Sequence, residues 1–203
     1  MFHSLPPVTR TLVIANVVVF LAESLLGDVL IAYFALWPLG ASGGAPEFAP
    51  WQLVTYGFLH GSLWHLFFNM FALYLFGSEL EMLFRARRFS TLYFVSVVSA
   101  GLTQLAFASA SGGEAYPTVG ASGGVFGLLL AYALYFPNRT IVLLIPPIPM
   151  PARIFVILYG ALELVLGVTG SQEGVAHFAH LGGMLGAWLL IQHWRGRPPF
   201  ARG

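Results

Sequence analysis

Ser122 lies in Gly120-Ala121-Ser122-Gly123-Gly124, at the head of the apolar run from Val125 to Phe136. A hydroxyl flanked by glycines, where irregular backbone becomes helix, is a common way to present a nucleophile. Two other segments carry the side chains such a serine needs. His65 and Asn69, four residues apart, share one face of a helix. His177 and His180 sit near the start of a later apolar run. An imidazole can take the serine proton, and N–H groups can hold the oxyanion formed when the hydroxyl attacks a carbonyl. On the pentapeptide alone, a packing face of small residues explains Ser122 better; the histidines and Asn69 reverse that weighting. The chain has no cysteine, which removes a thiol nucleophile, a disulfide framework and any Cys-ligated metal.

The elements that must position these residues are membrane helices. Of the 203 residues, 58% are hydrophobic and 8% charged, against about 25% charged in soluble domains. Mean hydropathy is +0.80. A soluble chain of this length could not bury so much apolar surface, so one integral membrane domain over 1–203 is expected. The net charge of +1 gives no case for nucleic-acid binding. Six candidate spans fall at roughly 11–33, 62–82, 90–110, 122–136, 151–169 and 176–194, each near the length of about 20 apolar residues that a bilayer requires. The first is read as a retained span, because no small-x-small cleavage site closes it. Ala35 to His60 is rich in Gly, Pro and aromatics, and is expected to lie at the interface. Ile141 to Pro151, with four prolines, reads as a connector.

All nine basic residues are arginines: Arg10, Arg85, Arg87, Arg88, Arg139, Arg153, Arg195, Arg197 and Arg202. They fall before span one, between two and three, between four and five, and after six. That alternation predicts six helices with both termini in the cytoplasm. It also puts His65 and Asn69, Ser122, His177 and His180 together at the opposite, outer end. The fourth span is short, about 22 Å of helix against a core of about 30 Å. Ser109 to Gly120 must then dip inward to meet it, which is tolerated where protein or a wet cavity surrounds the backbone. Gly123 with Gly127, Gly182 with Gly186 and Gly183 with Ala187 are small-xxx-small pairs that would let the fourth and sixth spans touch. Ser122 could then reach a histidine on the sixth, with its own backbone N–H, His65 and Asn69 as oxyanion donors. Asp28 lies in or near the first span. Glu163 falls in the middle or cytoplasmic half of the fifth. Neither is expected to orient a histidine at the outer level, so a Ser–His dyad held by packing is anticipated.

These residues resemble the rhomboid family of intramembrane serine proteases. The pieces are His60-x4-His65-x3-Asn69, Gly120-Ala-Ser122-Gly123 and Ala179-His180-Leu-Gly-Gly183, with Trp51-x3-Thr55, and Glu81 before Arg87 and Arg88. The resemblance implies a six-helix all-α bundle with Ser122 as nucleophile and His180 as base, then acid. It implies an oxyanion site of His65, Asn69 and the Ser122 N–H, and no metal or cofactor. The reaction would be endoproteolysis in or near transmembrane helices of single- or multi-pass membrane proteins, at a bacterial plasma membrane, with the site open to the extracytoplasmic side. Phe126 would stack on His180 where relatives often have tyrosine. Gln52 replaces an arginine of some relatives, and Arg85 a glycine of many.

Blander readings stand beside these. His60 is read as structural, bonding loop backbone. His177 is read as a support behind the site or an interfacial residue. Gly120, Gly123 and Gly183 are packing residues that the site itself needs. Glu23 and Glu163 fit either transport or hydrogen bonds inside the bundle. A metal hydrolase using His60, His65, His177 and His180 lacks the His-Glu-x-x-His run. A non-catalytic rhomboid-like binding module would be expected to have lost the serine or the histidine.

Overall fold

A computed structural model of the chain describes residues 5–40, 44–111, 116–142, 146–170 and 176–196. Arg197 and Arg202, and part of the segment before Ser122, lie outside the described residues. The chain is mostly helical. Helix α1 is Pro7–Phe34, followed by a short helix α2, Gln52–Thr55, and a 3₁₀ turn at Tyr56–Phe58. Helix α3, Leu63–Ala72, passes through a π turn at Leu73–Gly77 into α4, Ser78–Ser111. Then come α5, Ser122–Tyr135, a two-stranded antiparallel hairpin of β1, Thr140–Val142, and β2, Pro149–Pro151, and helices α6, Ala152–Thr169, and α7, His177–Trp194. Among the described residues, three helical stretches are long and apolar enough to cross a membrane: Pro7–Phe34, Leu63–Ser109 and Ala152–Thr169.

The second stretch turns back on itself at one residue. Arg85 has φ 63° and ψ 165° inside otherwise helical backbone. A Cβ built on Gly77 would stand 3.3 Å from Phe89 Cζ, although the intervening residues would span about 18 Å of straight helix. The expected loop between residues 82 and 90 is thus a single-residue reversal, with helix up to it on both sides. One residue in left-handed, extended backbone does what several loop residues would otherwise do.

Arginine-bearing turns gather at this end. Arg139 pairs with Glu79 at 3.2 Å, Arg195 lies over Tyr135 and Arg88 over Trp194. Glu81 lies at the same end and caps α1. Its carboxylate accepts from Val8 N–H at 2.9 Å, Thr9 N–H at 2.7 Å and Thr9 Oγ1 at 2.8 Å. Those donors are among the orphan N–H groups of a helix start, where negative charge is favoured.

Helix α5 is the buried axis of the bundle, with most of its residues enclosed. In lipid, helices gain little from apolar burial against one another, so contact depends on close packing. The glycines supply it. A side chain on Gly183 would run into the carbonyl of Gly123, and one on Gly123 into Ala100. Gly182 and Gly186 give the other side of α7 the same closeness to Thr103 and Ser99 of α4, and Ser99 Oγ donates to the Gly182 carbonyl at 2.8 Å. The loop after α1 is closed by Gln52, whose amide accepts from Trp37 N–H at 3.2 Å and donates to the Tyr33 carbonyl at 3.4 Å. Gln52 therefore makes loop contacts of its own.

The Arg85 backbone belongs to a region that is essentially glycine's, at a cost on the order of 1–3 kcal/mol for other residues. Arg85→Gly is expected to stabilise the protein by about 1 kcal/mol after the entropic cost of glycine, read as a higher thermal midpoint in detergent. An unchanged or lower midpoint would show that the arginine side chain contributes more than the strain removes.

Candidate active site

Ser122 is the first residue of α5, and its position is set by Gly120. That glycine has φ +127°, a conformation open to it because it lacks a Cβ. Its N–H donates to the Tyr56 carbonyl at 2.9 Å. A Cβ there would lie 2.7 Å from His65 Nε2 and 3.6 Å from Ser122 Oγ. The His65 ring and the Ser122 hydroxyl therefore border the same small space, and glycine keeps it open.

His180, in the first turn of α7, faces Ser122 across the Gly123–Gly183 contact. Its Nε2 lies 2.8 Å from Ser122 Oγ. Phe126, one turn along α5, stacks on the imidazole with ring centroids 4.2 Å apart and planes 5° from parallel. Asn69 is buried, and its amide donates to the His65 carbonyl at 3.0 Å. Ser122, His180, His65, Asn69 and Phe126 all line one cavity of about 1140 Å³, whose walls also include Tyr159.

One expectation fails. Glu163 was placed too far from the histidines, yet its Oε2 lies 2.9 Å from His180 Nδ1 and 2.6 Å from His177 Nδ1. The reason is depth. Counted from Thr169, the far end of α6, Glu163 lies about 9 Å inward. Helix α5, with 14 residues, is about 21 Å long and falls about 9 Å short of a 30 Å core. Ser122 and Glu163 thus sit at one level. The signal available in the sequence was a lone carboxylate within an apolar helix, which by default calls for a named partner.

His177 is also buried and directed at Glu163, not at an interface. The proton assignment is then consistent across four groups. Ser122 O–H donates to His180 Nε2, which leaves Nδ1–H to donate to the Glu163 carboxylate, and His177 Nδ1–H donates to the same oxygen. The ligand-capable atoms of Glu163, His177 and His180 lie within 4.8 Å of one another. Their two contacts have hydrogen-bond lengths. Ligands each about 2.0–2.1 Å from a zinc ion in tetrahedral geometry would stand about 3.3 Å apart, so an ion would require the rings to withdraw.

At His60 the main-chain N–H donates to the Glu23 carboxylate at 3.1 Å. Both ring nitrogens are buried without a hydrogen-bond partner among the described residues, an approach to the Phe58 main chain falling short of a directed bond. The ring sits edge-on to His65 at 5.0 Å. Burial, then the nearby His65, pushes the His60 imidazole down to about 4, from an ordinary value near 6.5.

The rhomboid domain family matches residues 47–194. Rhomboid protein 1, mitochondrial, of Saccharomyces cerevisiae is 30% identical over 142 residues, 66% of this chain and 39% of that protein. Rhomboid protease GlpG of Salmonella choleraesuis is 29% identical over 126 residues, 62% of this chain and 42% of that protein. Presenilin-associated rhomboid-like protein A, mitochondrial, of Danio rerio is 29% identical over 179 residues, 85% of this chain and 45% of that protein. The match covers less than half the length of each of these relatives.

The His60 environment has a pH consequence. The folded state disfavours its proton, so the unfolded chain binds more protons between about pH 4 and 6.5. Stability is full above that window and falls as pH drops through it, by at most about 3 kcal/mol. Thermal midpoints in detergent should decline from pH 7 to pH 4, and His60→Leu should flatten much of that decline. An equal slope in the variant would assign the effect to other groups.

Proposed function

The chain belongs to the rhomboid family, and we propose that it is an intramembrane serine endopeptidase that cuts membrane-protein substrates in or near their transmembrane helices. The observation that carries this reading is the 2.8 Å contact between Ser122 Oγ and His180 Nε2 on the wall of a large cavity. Packing alone requires no imidazole at that hydroxyl.

The steps follow from the geometry. Ser122 Oγ attacks the scissile carbonyl carbon while His180 Nε2 takes its proton. The carbonyl π electrons move to oxygen. That oxyanion is held by the Ser122 N–H at the helix start, where backbone donors lack intrahelical partners, and by His65 and Asn69. Collapse of the tetrahedral species breaks the C–N bond, and His180 returns the proton to the leaving amine. Water, deprotonated by His180, then attacks the acyl-enzyme and releases the carboxylic acid and the free serine. Phe126 holds the plane of the imidazole throughout. No step requires a metal or cofactor.

In the same reading the chain forms one membrane domain with six spans: α1, α3 with the start of α4, the remainder of α4, α5, α6 and α7. The arginine-rich end faces the cytoplasm of a bacterial plasma membrane, both termini lie on that side, and the cavity opens on the other. The short α5 then lets water reach Ser122 without crossing the whole core.

In detergent or proteoliposomes the purified protein should cleave a single-span substrate. Ser122→Ala and His180→Ala should each abolish cleavage. Asn69→Ala should lower kcat by up to about 10²–10³, because other oxyanion donors remain. Cleavage that persists in Ser122→Ala would sink the mechanism, and a wild type that binds such segments without cutting them would favour a binding module.

A further inference from the structure

We propose that Glu163 is a positioning residue for His180, so that the site works as a Ser122–His180–Glu163 relay in which His177 braces the carboxylate. This rests on the reading of Ser122 and His180 as nucleophile and base. It replaces the dyad held by packing alone.

Stacking cannot fix His180 unaided. Phe126 lies parallel to the imidazole at 4.2 Å, which sets the plane of the ring. A half-turn within that plane leaves the stacking unchanged, yet it moves Nε2 away from Ser122. Stacking is equally blind to which nitrogen carries the proton. A directional acceptor at Nδ1 decides both. Glu163 Oε2, at 2.9 Å, accepts only from an Nδ1–H. That leaves Nε2 bare to accept the serine proton.

The carboxylate is itself held. His177 Nδ1 reaches the same oxygen at 2.6 Å, and the Glu163 side chain is almost wholly buried. Removing a carboxylate from water costs several kcal/mol unless it is paired and hydrogen-bonded. Two imidazole N–H donors supply that compensation, and one belongs to the ring that touches Ser122. When Ser122 loses its proton to Nε2, the imidazolium that forms is matched by the adjacent carboxylate. The proton on Nδ1 stays on nitrogen.

Glu163→Gln keeps the shape, removes the charge and gives His180 Nδ1 a side chain that can donate as well as accept. In the serine-protease precedent the equivalent change lowers kcat by about 10⁴. Here kcat should fall by about 10²–10⁴ with KM within about threefold of wild type, as expected for an interaction made in the transition state. His177→Asn should cost less, on the order of tenfold, since it acts one contact further away. Two readouts separate positioning from mere folding. Glu163→Asp, which keeps a charged acceptor for Nδ1–H, should retain more kcat than Glu163→Gln. In ¹⁵N-histidine NMR of the wild type, the resonance lost in His180→Ala should report the Nδ1–H tautomer.

An unchanged kcat in Glu163→Gln, or a wild-type His180 with its proton on Nε2, overturns the proposal even while Ser122→Ala remains inactive. If the wild type cuts nothing and Ser122 is unreactive, the protease reading falls instead. The tautomer still decides the Glu163 claim, as it does if Glu163→Gln fails to fold.

Discussion

The close approach of α5 and α7 at Gly123 and Gly183 is the contact on which the site depends. A methyl group on Gly183 would strike the carbonyl of Gly123, so the two backbones touch. Ser122 precedes one of these glycines by a residue, and His180 precedes the other by three. The seam therefore sets the distance between hydroxyl and imidazole before either side chain chooses a rotamer. Ser99 and Thr103 hold the other side of α7 against α4. The result is a rigid base for groups that must meet within a few tenths of an ångström.

Around that seam the bundle solves a solvation problem. A bilayer leaves no polar group unsatisfied at small cost. Here serine, three histidines, Asn69 and a carboxylate share one level. Each is covered by another: Ser122 by His180, His180 and His177 by Glu163, the His65 carbonyl by the Asn69 amide. Outside this set, the His60 ring nitrogens, Asn16 Oδ1, Ser78 Oγ and the Tyr93 hydroxyl are buried with no partner among the described residues. The cavity leaves one side of this polar layer, including the Ser122 hydroxyl, unfilled by protein.

Much of this was legible in the residues. Apolar runs and the alternation of arginines located the helices to within a few residues, and the paired glycines marked the seam. The meeting of Ser122 with a histidine of α7 follows from both lying at the end away from the arginines. Glu163 was not legible in the same way. Its level depends on which end of α6 is counted from, and on knowing that Ser122 is recessed by about the same 9 Å. Facing is a second unknown, since one residue of error rotates a helical side chain by about 100°. The single-residue reversal at Arg85 was not legible either, since only the backbone angles show it.

The central claim is that Ser122 is a nucleophile activated by His180. Mass spectrometry of the wild-type protein after reaction with a fluorophosphonate tests it without any choice of substrate. The account predicts one adduct, on Ser122, absent from His180→Ala treated identically. An adduct on another residue, or labelling of Ser122 at an undiminished rate without His180, would contradict it.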